Sequence, residues 1–242
     1  MIVCPLVFLA GFVDSIGGGG GLISLPAYLF AGLPIHCVVA TNKLSACFGT
    51  GTAALRFIRQ KLVRPQLVLP TVAAAAAGSA IGARISLILS ERILLVILIL
   101  VLPVVAFAVT TKALKDRPRE SEVISTRTCI TATIAAFVIG MYDGLYGPGT
   151  GTFLIIALTV FSKLSIVTAN AHTKVINLTS NVISLLIFLK SGTVVLPLGL
   201  AAAVCNMAGN YIGAGLAMEK GSKIVRPVIL VVLALLLIKI LT

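Results

Sequence analysis

Apolar residues run in long stretches along this chain and are separated by short polar connections. Stretches long enough to span a bilayer cover residues 66–83, 93–111 and 224–238. Residues 112–127 form a hydrophilic segment that divides the chain into halves of similar length. Each half shows the same pattern, an apolar segment interrupted by glycines and followed by three apolar helices. This pattern predicts an all-α polytopic membrane protein built from two repeats.

The predicted boundaries follow from that pattern. We expect a first transmembrane repeat over residues 1–111, a cytoplasmic linker over 112–127 and a second repeat over 128–242. The predicted unbroken helices cover 36–57, 66–89 and 92–111 in the first half, and 166–189, 194–217 and 223–241 in the second. The glycine-rich stretch 11–21 returns 129 residues later as 140–150, which supports a duplication.

The composition excludes a soluble globular protein. Hydrophobic residues make up 59% of the chain and charged residues 11%, far from the balance of soluble domains. The net charge of +12 comes mostly from Lys and Arg in short connections, which is typical of the positive-inside pattern rather than of nucleic-acid binding. The five cysteines lie mostly in apolar segments without metal-ligand spacing, so we expect neither a metal nor another cofactor.

The glycine-broken segments are too long for one straight crossing and too short for two. Residues 2–31 would form a helix of about 45 Å, against a hydrocarbon core of about 30 Å. A kinked, tilted crossing and a re-entrant hairpin that turns at the glycines both fit this length. The re-entrant arrangement places more of the basic residues on one membrane face. It also leaves three crossings per repeat, which makes the repeats inverted, and we therefore favour it.

Glycines in the two breaks are the first candidates for substrate binding: Gly18, Gly19, Gly20, Gly147 and Gly149. A helix that restarts after such a break points unpaired N–H groups and its positive dipole end at the break, which favours a small anion. The alternative is a tight helix crossing that only requires small residues. Pro148 stands where the first break has Gly19, so we expect Gly19→Ala to be milder than Gly18→Ala or Gly20→Ala.

Lys43 and Lys174 lie within apolar helices at matching positions of the two halves. A buried ammonium is costly unless it meets an anion or carbonyl groups. We therefore predict that both lysines bind the substrate anion. The alternatives are snorkelling to the membrane interface and structural ion pairs with Asp14 and Asp143.

Polar side chains accompany the lysines at helical spacing and complete the predicted binding residues with Asn42, Thr173 and Asn177. The stripe formed by Lys174, Asn177, Asn181 and Ser184 is typical of a helix face that lines a bundle interior or a water-filled path. A structural hydrogen-bond ladder between helices is the alternative. Asn206 and Asn210 show a similar but less specific pattern.

Three titratable residues are candidates for proton coupling: Asp14, Asp143 and His172. Carboxylates within a membrane are functional hypotheses by default, although an Asp before glycines also commonly caps a turn. A histidine can titrate near neutral pH and carry a proton. The alternative for His172 is a neutral, hydrogen-bonded side chain.

The stretches 11–21 and 40–43, with their echoes around 140–150 and Lys174, resemble the TauE/SafE permease family, which is also known as the sulfite exporter family. The resemblance covers nearly the whole chain as two copies of the family's repeat. The second copy departs from the first at Pro148 and at His172-Thr173. The resemblance implies an integral cytoplasmic-membrane protein that moves small sulfur-containing anions such as sulfite, thiosulfate or organosulfonates.

Together these observations predict a secondary transporter of small anions, and not an enzyme, in the cytoplasmic membrane of a prokaryote. One repeat would rock against the other to give alternating access, driven by a proton or substrate gradient. The expected partners are the anionic substrate and the lipid bilayer, without nucleic acid, and a homo-oligomer is left open. The rival functions are a passive anion channel and a non-transporting membrane scaffold or sensor subunit. The scaffold predicts an internally paired polar stripe and no cavity.

Overall fold

The computed structural model describes residues 2–90, 92–93, 124–221, 223–224 and 227–228. Over these residues the chain forms eight α-helices and no strands. The helices are α1 (Val3–Gly17), α2 (Gly21–Phe30), α3 (Ile35–Arg59), α4 (Pro65–Ser86), α5 (Thr126–Leu145), α6 (Thr150–Val160), α7 (Ile166–Lys190) and α8 (Leu196–Lys220). The prediction of an all-α protein is therefore confirmed for the described part of the chain.

Helices α3, α4, α7 and α8 begin and end within about three residues of the predicted boundaries. Local chemistry explains these starts. Pro65 opens α4, where its missing N–H costs nothing. The Ser165 side chain caps α7 by accepting a hydrogen bond from the Thr168 N–H. The predicted helices 92–111 and 223–241, and most of the linker 112–127, lie outside the described residues.

Four of the described helices are long and apolar enough to cross a membrane: α4, α5, α7 and α8. Helix α3 is equally long, at 25 residues, but it carries more polar and charged side chains. Helices α1, α2 and α6 are apolar and shorter. With about 1.5 Å of rise per residue, none of these three spans a hydrocarbon core of about 30 Å alone.

The chain folds back on itself at each glycine break. A Cβ placed on Gly20 would lie 2.6 Å from the carbonyl oxygen of Ala10, although the two residues are ten positions apart. After the second break, the ring of Phe153 lies 5.5 Å from the ring of Tyr142, measured between centroids. Both contacts place the start of the second helix beside the last turns of the helix before the break.

The tightest helix contacts join the two halves of the chain crosswise. Helix α1 packs on α8, and α4 packs on α5. Both contacts depend on glycines that remove side-chain bulk. A Cβ on Gly209 would lie 2.1 Å from the carbonyl oxygen of Phe8, and one on Gly82 would lie 2.0 Å from that of Met141. Such backbone approach is the usual use of glycine in membrane helix pairs.

The helices consequently form two bundles that mix the halves. We call α1, α2, α3 and α8 the first bundle, and α4, α5, α6 and α7 the second bundle, because the helices within each set pack on one another. Each bundle contains one long helix from the other half of the sequence. Helix α3 of the first bundle packs along α7 of the second, and this contact forms the main interface between the bundles.

This packing predicts that two glycine-to-alanine substitutions in helices differ greatly in their effect on the free energy of unfolding. Gly82→Ala should lower the free energy of unfolding by about 1–3 kcal/mol, because the new Cβ forces α4 away from α5. Gly51→Ala is the matched control, since its Cβ would lie 3.5 Å from Leu178 Cδ1, an ordinary contact. It should be neutral or stabilising by up to about 1 kcal/mol. Thermal melting of the two purified proteins in detergent measures the difference, and equal melting temperatures would contradict it.

Candidate functional site

A polar cavity of about 40 Å³ lies where the two glycine breaks meet α3 and α7. Since a single water needs about 10–15 Å³ by this measure, the cavity has room for a few waters or a small ion. The predicted site residues that line it are Asp14, Gly19, Gly20, Asn42, Lys43, Asp143, Gly147, Gly149 and Asn177. The remaining predicted residues, Gly18, His172, Thr173 and Lys174, lie outside its lining.

The glycines of the two breaks adopt backbone conformations that other residues rarely do. Gly18 and Gly19 have φ of +76° and +84°, and Gly147 and Gly149 have φ of +88° and +80°. Glycine occupies this region without a steric penalty. An alanine at +84° is strained, so Gly19→Ala should itself carry a cost; whether it is milder than Gly18→Ala or Gly20→Ala stays a prediction. Pro148 gives no guide to that position, since its ring fixes φ near −65°.

Gly18 also brings the two breaks into direct backbone contact. A Cβ on Gly18 would lie 2.1 Å from the backbone nitrogen of Thr152. The Thr152 hydroxyl donates a hydrogen bond to the carbonyl of Gly17, at 2.8 Å. Gly18 therefore holds one break against the other from outside the cavity lining, which is a structural role.

Several residues of the breaks that line the cavity have backbone N–H groups with weak hydrogen bonds or none. The N–H of Gly20 makes a long hydrogen bond to Asp14 Oδ1, at 3.4 Å. Within the described part of the chain, the N–H groups of Gly19 and Gly151 have no acceptor, and both residues line the cavity. Helix starts with free donors favour an anion.

Lys43 is buried at the edge of the cavity, with 2% of its surface exposed. Its Nζ lies 2.9 Å from Asp143 Oδ2 and donates to Asn181 Oδ1, also at 2.9 Å. The hydroxyl of Ser180 donates a further hydrogen bond to Asp143. Lys43 thus has a charged partner and a neutral partner, and both of them come from the second bundle.

Lys174 is fully buried and makes the reciprocal ion pair with Asp14. Its Nζ lies 3.0 Å from Asp14 Oδ2, and it also donates to the Asp14 backbone carbonyl. Asp14 is 15% exposed and lines the cavity, whereas Lys174 does not. Lys174 therefore holds the C-terminal end of α1 in place. The two lysines occupy matching positions in the sequence but different surroundings in the fold.

Both ion pairs cross between the halves of the sequence and between the bundles. Lys43 in α3 meets Asp143 in α5, and Lys174 in α7 meets Asp14 in α1. Each lysine thus forms an ion pair with an aspartate, which was the structural alternative to substrate binding. An ion pair does not exclude substrate binding, because Lys43, Asp143 and Asp14 also line the cavity.

His172 and Thr173 are buried away from the cavity. The backbone N–H of Arg64, in the connection between α3 and α4, donates to His172 Nε2 at 2.8 Å. A ring nitrogen that accepts a hydrogen bond carries no proton. This contact fits the structural alternative for His172.

Asn181 and Asn206 line the cavity although the predicted binding residues do not include them. Asn181 follows Asn177 by about one helical turn, so its place in the polar stripe of α7 was the available signal. Asn206 comes from α8, which the crosswise packing brings to the site. The pattern of Asn206 and Asn210 was the available signal, but it does not indicate that α8 reaches this cavity.

Comparison with known proteins identifies the family of this chain. Residues 3–240 match the sequence model of the family described as "Sulfite exporter TauE/SafE". The chain belongs to the TauE/SafE sulfite exporter family. No solved structure matches it.

Relatives from several bacteria support the same assignment. The chain is 37% identical to "Probable membrane transporter protein ORF9" of Sinorhizobium sp., over 97% of this chain and 89% of that protein. It is 35% identical to "Probable membrane transporter protein YfcA" of Escherichia coli K12, over 98% and 87%. A "Probable membrane transporter protein" of Haemophilus influenzae is 32% identical over 93% and 87%. These names indicate membrane transporters rather than enzymes, and a multi-pass location in the cell membrane.

The geometry of the first break predicts a clear order among its alanine variants. Gly18→Ala and Gly19→Ala should each destabilise the protein by about 1–3 kcal/mol, because both residues have positive φ. Gly21→Ala is the control within the same break, since its Cβ would lie 3.3 Å from Pro148 Cα and only a small shift is needed. Folded yield and melting temperature measure the order. A Gly19→Ala protein as stable as Gly21→Ala would contradict it.

Proposed function

We propose that this protein is a secondary transporter of small anions that binds its substrate in the cavity between the glycine breaks. One observation carries the proposal: a buried lysine, Lys43, lies at a polar cavity whose lining includes six glycines of the two breaks. Lysine supplies charge, and the N–H groups of Gly19 and Gly151 supply neutral donors. A scaffold or sensor subunit needs no such cavity, so the cavity favours a transporter.

The substrate class that we propose is sulfur-containing oxyanions, such as sulfite, thiosulfate or an organosulfonate. This part of the proposal depends on membership of the sulfite exporter family. The cavity is compatible with it, because a compact oxyanion accepts several hydrogen bonds at once and the site offers several donors.

Alternating access in this fold would move the two bundles rather than the two repeats. The sequence suggests that one repeat rocks against the other. However, α1 with α8, and α4 with α5, are in contact too close to separate easily, and each pair joins the two halves. The moving bodies that we propose are the first and second bundles, which meet along α3 and α7. The cavity lies at this interface.

Proton coupling follows from the charge balance of the site. Lys43, Lys174, Asp14 and Asp143 carry two positive and two negative charges, so the paired site is neutral. An added anion would leave an unbalanced charge in a medium of low dielectric, at a high cost in free energy. A proton on Asp143 would release Lys43 for the anion. We therefore propose that Asp143 and Asp14 carry the coupled proton and that His172 does not.

We also propose that the broken segments are re-entrant and the repeats inverted. The placement of α2 beside the last turns of α1, and of α6 beside those of α5, supports this arrangement. It is consistent with the distribution of basic residues along the chain.

The two lysines should behave differently when each is replaced by alanine. Lys43→Ala should weaken sulfite binding by about 10- to 150-fold, the effect of losing one charge-assisted contact. Lys174→Ala should mainly lower the melting temperature, because it leaves the Asp14 carboxylate of α1 without its ion-pair partner. Lys190→Ala, at an exposed helix end, is the control and should change neither property. Sulfite binding and uptake are measured with purified protein and with proteoliposomes.

These measurements also separate the rival functions. A transporter accumulates sulfite against its gradient when a proton gradient is imposed, whereas a channel only equilibrates it. Uptake that ignores the proton gradient would contradict coupling through the aspartates. If folded Lys43→Ala protein binds sulfite as the wild type does, the cavity is not the substrate site.

The re-entrant arrangement places the two ends of the first broken segment on one membrane face. Ile2 directly precedes α1 and Phe30 ends α2, so a cysteine at either position, treated with a membrane-impermeant thiol reagent, tests which membrane face that end of the segment reaches. In a background without the five native cysteines, Ile2→Cys and Phe30→Cys should be labelled from the same side. Labelling from opposite sides would rule out both the hairpin and the inverted repeats.

A further inference from the structure

Asn181 faces the cavity with an amide orientation that Lys43 fixes. Its Oδ1 accepts the hydrogen bond from Lys43 Nζ at 2.9 Å. Because an ammonium can only donate, the carbonyl side of the amide must point to Lys43, and the NH₂ side points away. Within the described residues this NH₂ group has no acceptor. The side chain is only 3% exposed.

Asn206 has a second amide of fixed orientation, set by Asn210 one helical turn later. Asn210 Nδ2 donates to the backbone carbonyl of Asn206 at 3.1 Å and to Asn206 Oδ1 at 2.6 Å. A backbone carbonyl only accepts, so the orientation of the Asn210 amide is certain, and that of Asn206 follows from it. The NH₂ group of Asn206 likewise lacks an acceptor in the described part of the chain.

The surrounding helices leave space for Asn206 in particular. A Cβ on Gly49 of α3 would lie 1.8 Å from Asn206 Oδ1, and one on Gly11 of α1 would lie 2.5 Å from the Asn206 carbonyl. The asparagine is 6% exposed and lines the cavity. Neither amide nitrogen of Asn206 and Asn181 is among the fully buried polar atoms without a partner in the described residues, so both donors keep access to the cavity that they line.

The two donors come from opposite bundles, since Asn181 lies in α7 and Asn206 in α8. Lys43 and Lys174 lie 131 positions apart in the two repeats. By the same spacing, Asn206 and Asn210 correspond to Ala75 and Ser79 of α4. Neither of these lines the cavity, so the α8 donor has no equivalent on α4. The cavity is therefore asymmetric, although the sequence that builds it is duplicated.

We propose that the amide groups of Asn206 and Asn181 bind the substrate directly, and that Asn206 is a specificity-determining residue for oxyanions. The proposal rests on the proposed function of the same cavity. Two neutral donors of fixed direction suit an anion with several separate acceptor oxygens, and Lys43 supplies the charge. Asn210 is a positioning residue that acts through Asn206.

The test compares variants of Asn206 with a control in purified protein, using sulfite and thiosulfate as the probes. Asn206→Ala should raise the dissociation constant by about 10- to 150-fold, since it removes a hydrogen bond to a charged ligand. Asn206→Asp keeps the shape and the bond from Asn210 but replaces the donor with an acceptor, so the loss should be at least as large. It also provides a second variant if the alanine protein does not fold.

Asn170→Ala is the matched control for loss of a buried amide. Asn170 donates to the carbonyls of Ser15 and Ile16, both at 3.0 Å, and lies outside the cavity lining. It should lower the melting temperature while the folded protein keeps its affinity. For Asn210, the double variant Asn206→Ala/Asn210→Ala should bind as weakly as Asn206→Ala alone, because the two residues act as one unit.

The outcomes distinguish this inference from the proposed function. If the wild type binds none of the oxyanions, the proposed function fails and this inference fails with it. If the wild type binds and Lys43→Ala does not, but both Asn206 variants bind normally, only this inference is overturned. An equal loss of affinity in Asn170→Ala would also overturn it, since the effect would then reflect general destabilisation.

Discussion

The fold depends on finding a carboxylate for each of two buried lysines. An ammonium taken out of water is stable only beside a negative charge or several acceptors. Lys43 finds Asp143, and Lys174 finds Asp14, with the partner in each case coming from the other half of the chain. Neither half can neutralise its own lysine in this arrangement. The electrostatics of the interior therefore requires the halves to interlock, and the crosswise packing of α1 on α8 and of α4 on α5 satisfies that requirement.

Glycine lets backbone segments lie close together in two places, along the helices and at the breaks. Along the helices, Gly82 and Gly209 allow backbones from different halves to touch, which suits a membrane, where packing rather than the hydrophobic effect joins helices. At the breaks, Gly18 and Gly147 adopt positive φ and turn the chain back. Glycines of both breaks also line the cavity. Packing and binding thus place related demands on the same residue type.

Much of this arrangement is visible in the sequence, and the reasons for the remainder are physical. Helix boundaries such as those of α3 and α7 follow from apolar length and local capping, which are local properties. The pairing of Lys43 with Asp143 depends on which helices meet, and matching motifs alone give no preference between Asp14 and Asp143. Asn206 reaches the cavity only through the packing of α8 on α1 and α3. Gly19 shows the limit of comparing repeats, because position 148 holds a proline whose backbone cannot adopt the same conformation.

The ion pairs also connect charge with movement in the proposed mechanism. Each pair has one member in the first bundle and one in the second, so both pairs link the two bundles. Protonation of Asp143 would remove the attraction that holds Lys43 and, at the same time, one link between α3 and α5. An anion that then binds Lys43 restores the charge balance without restoring that link. Substrate and proton together would therefore loosen the bundle interface, whereas an anion alone would leave the site with excess negative charge. In the proposed mechanism, the placement of these four charges would by itself couple the proton to the substrate.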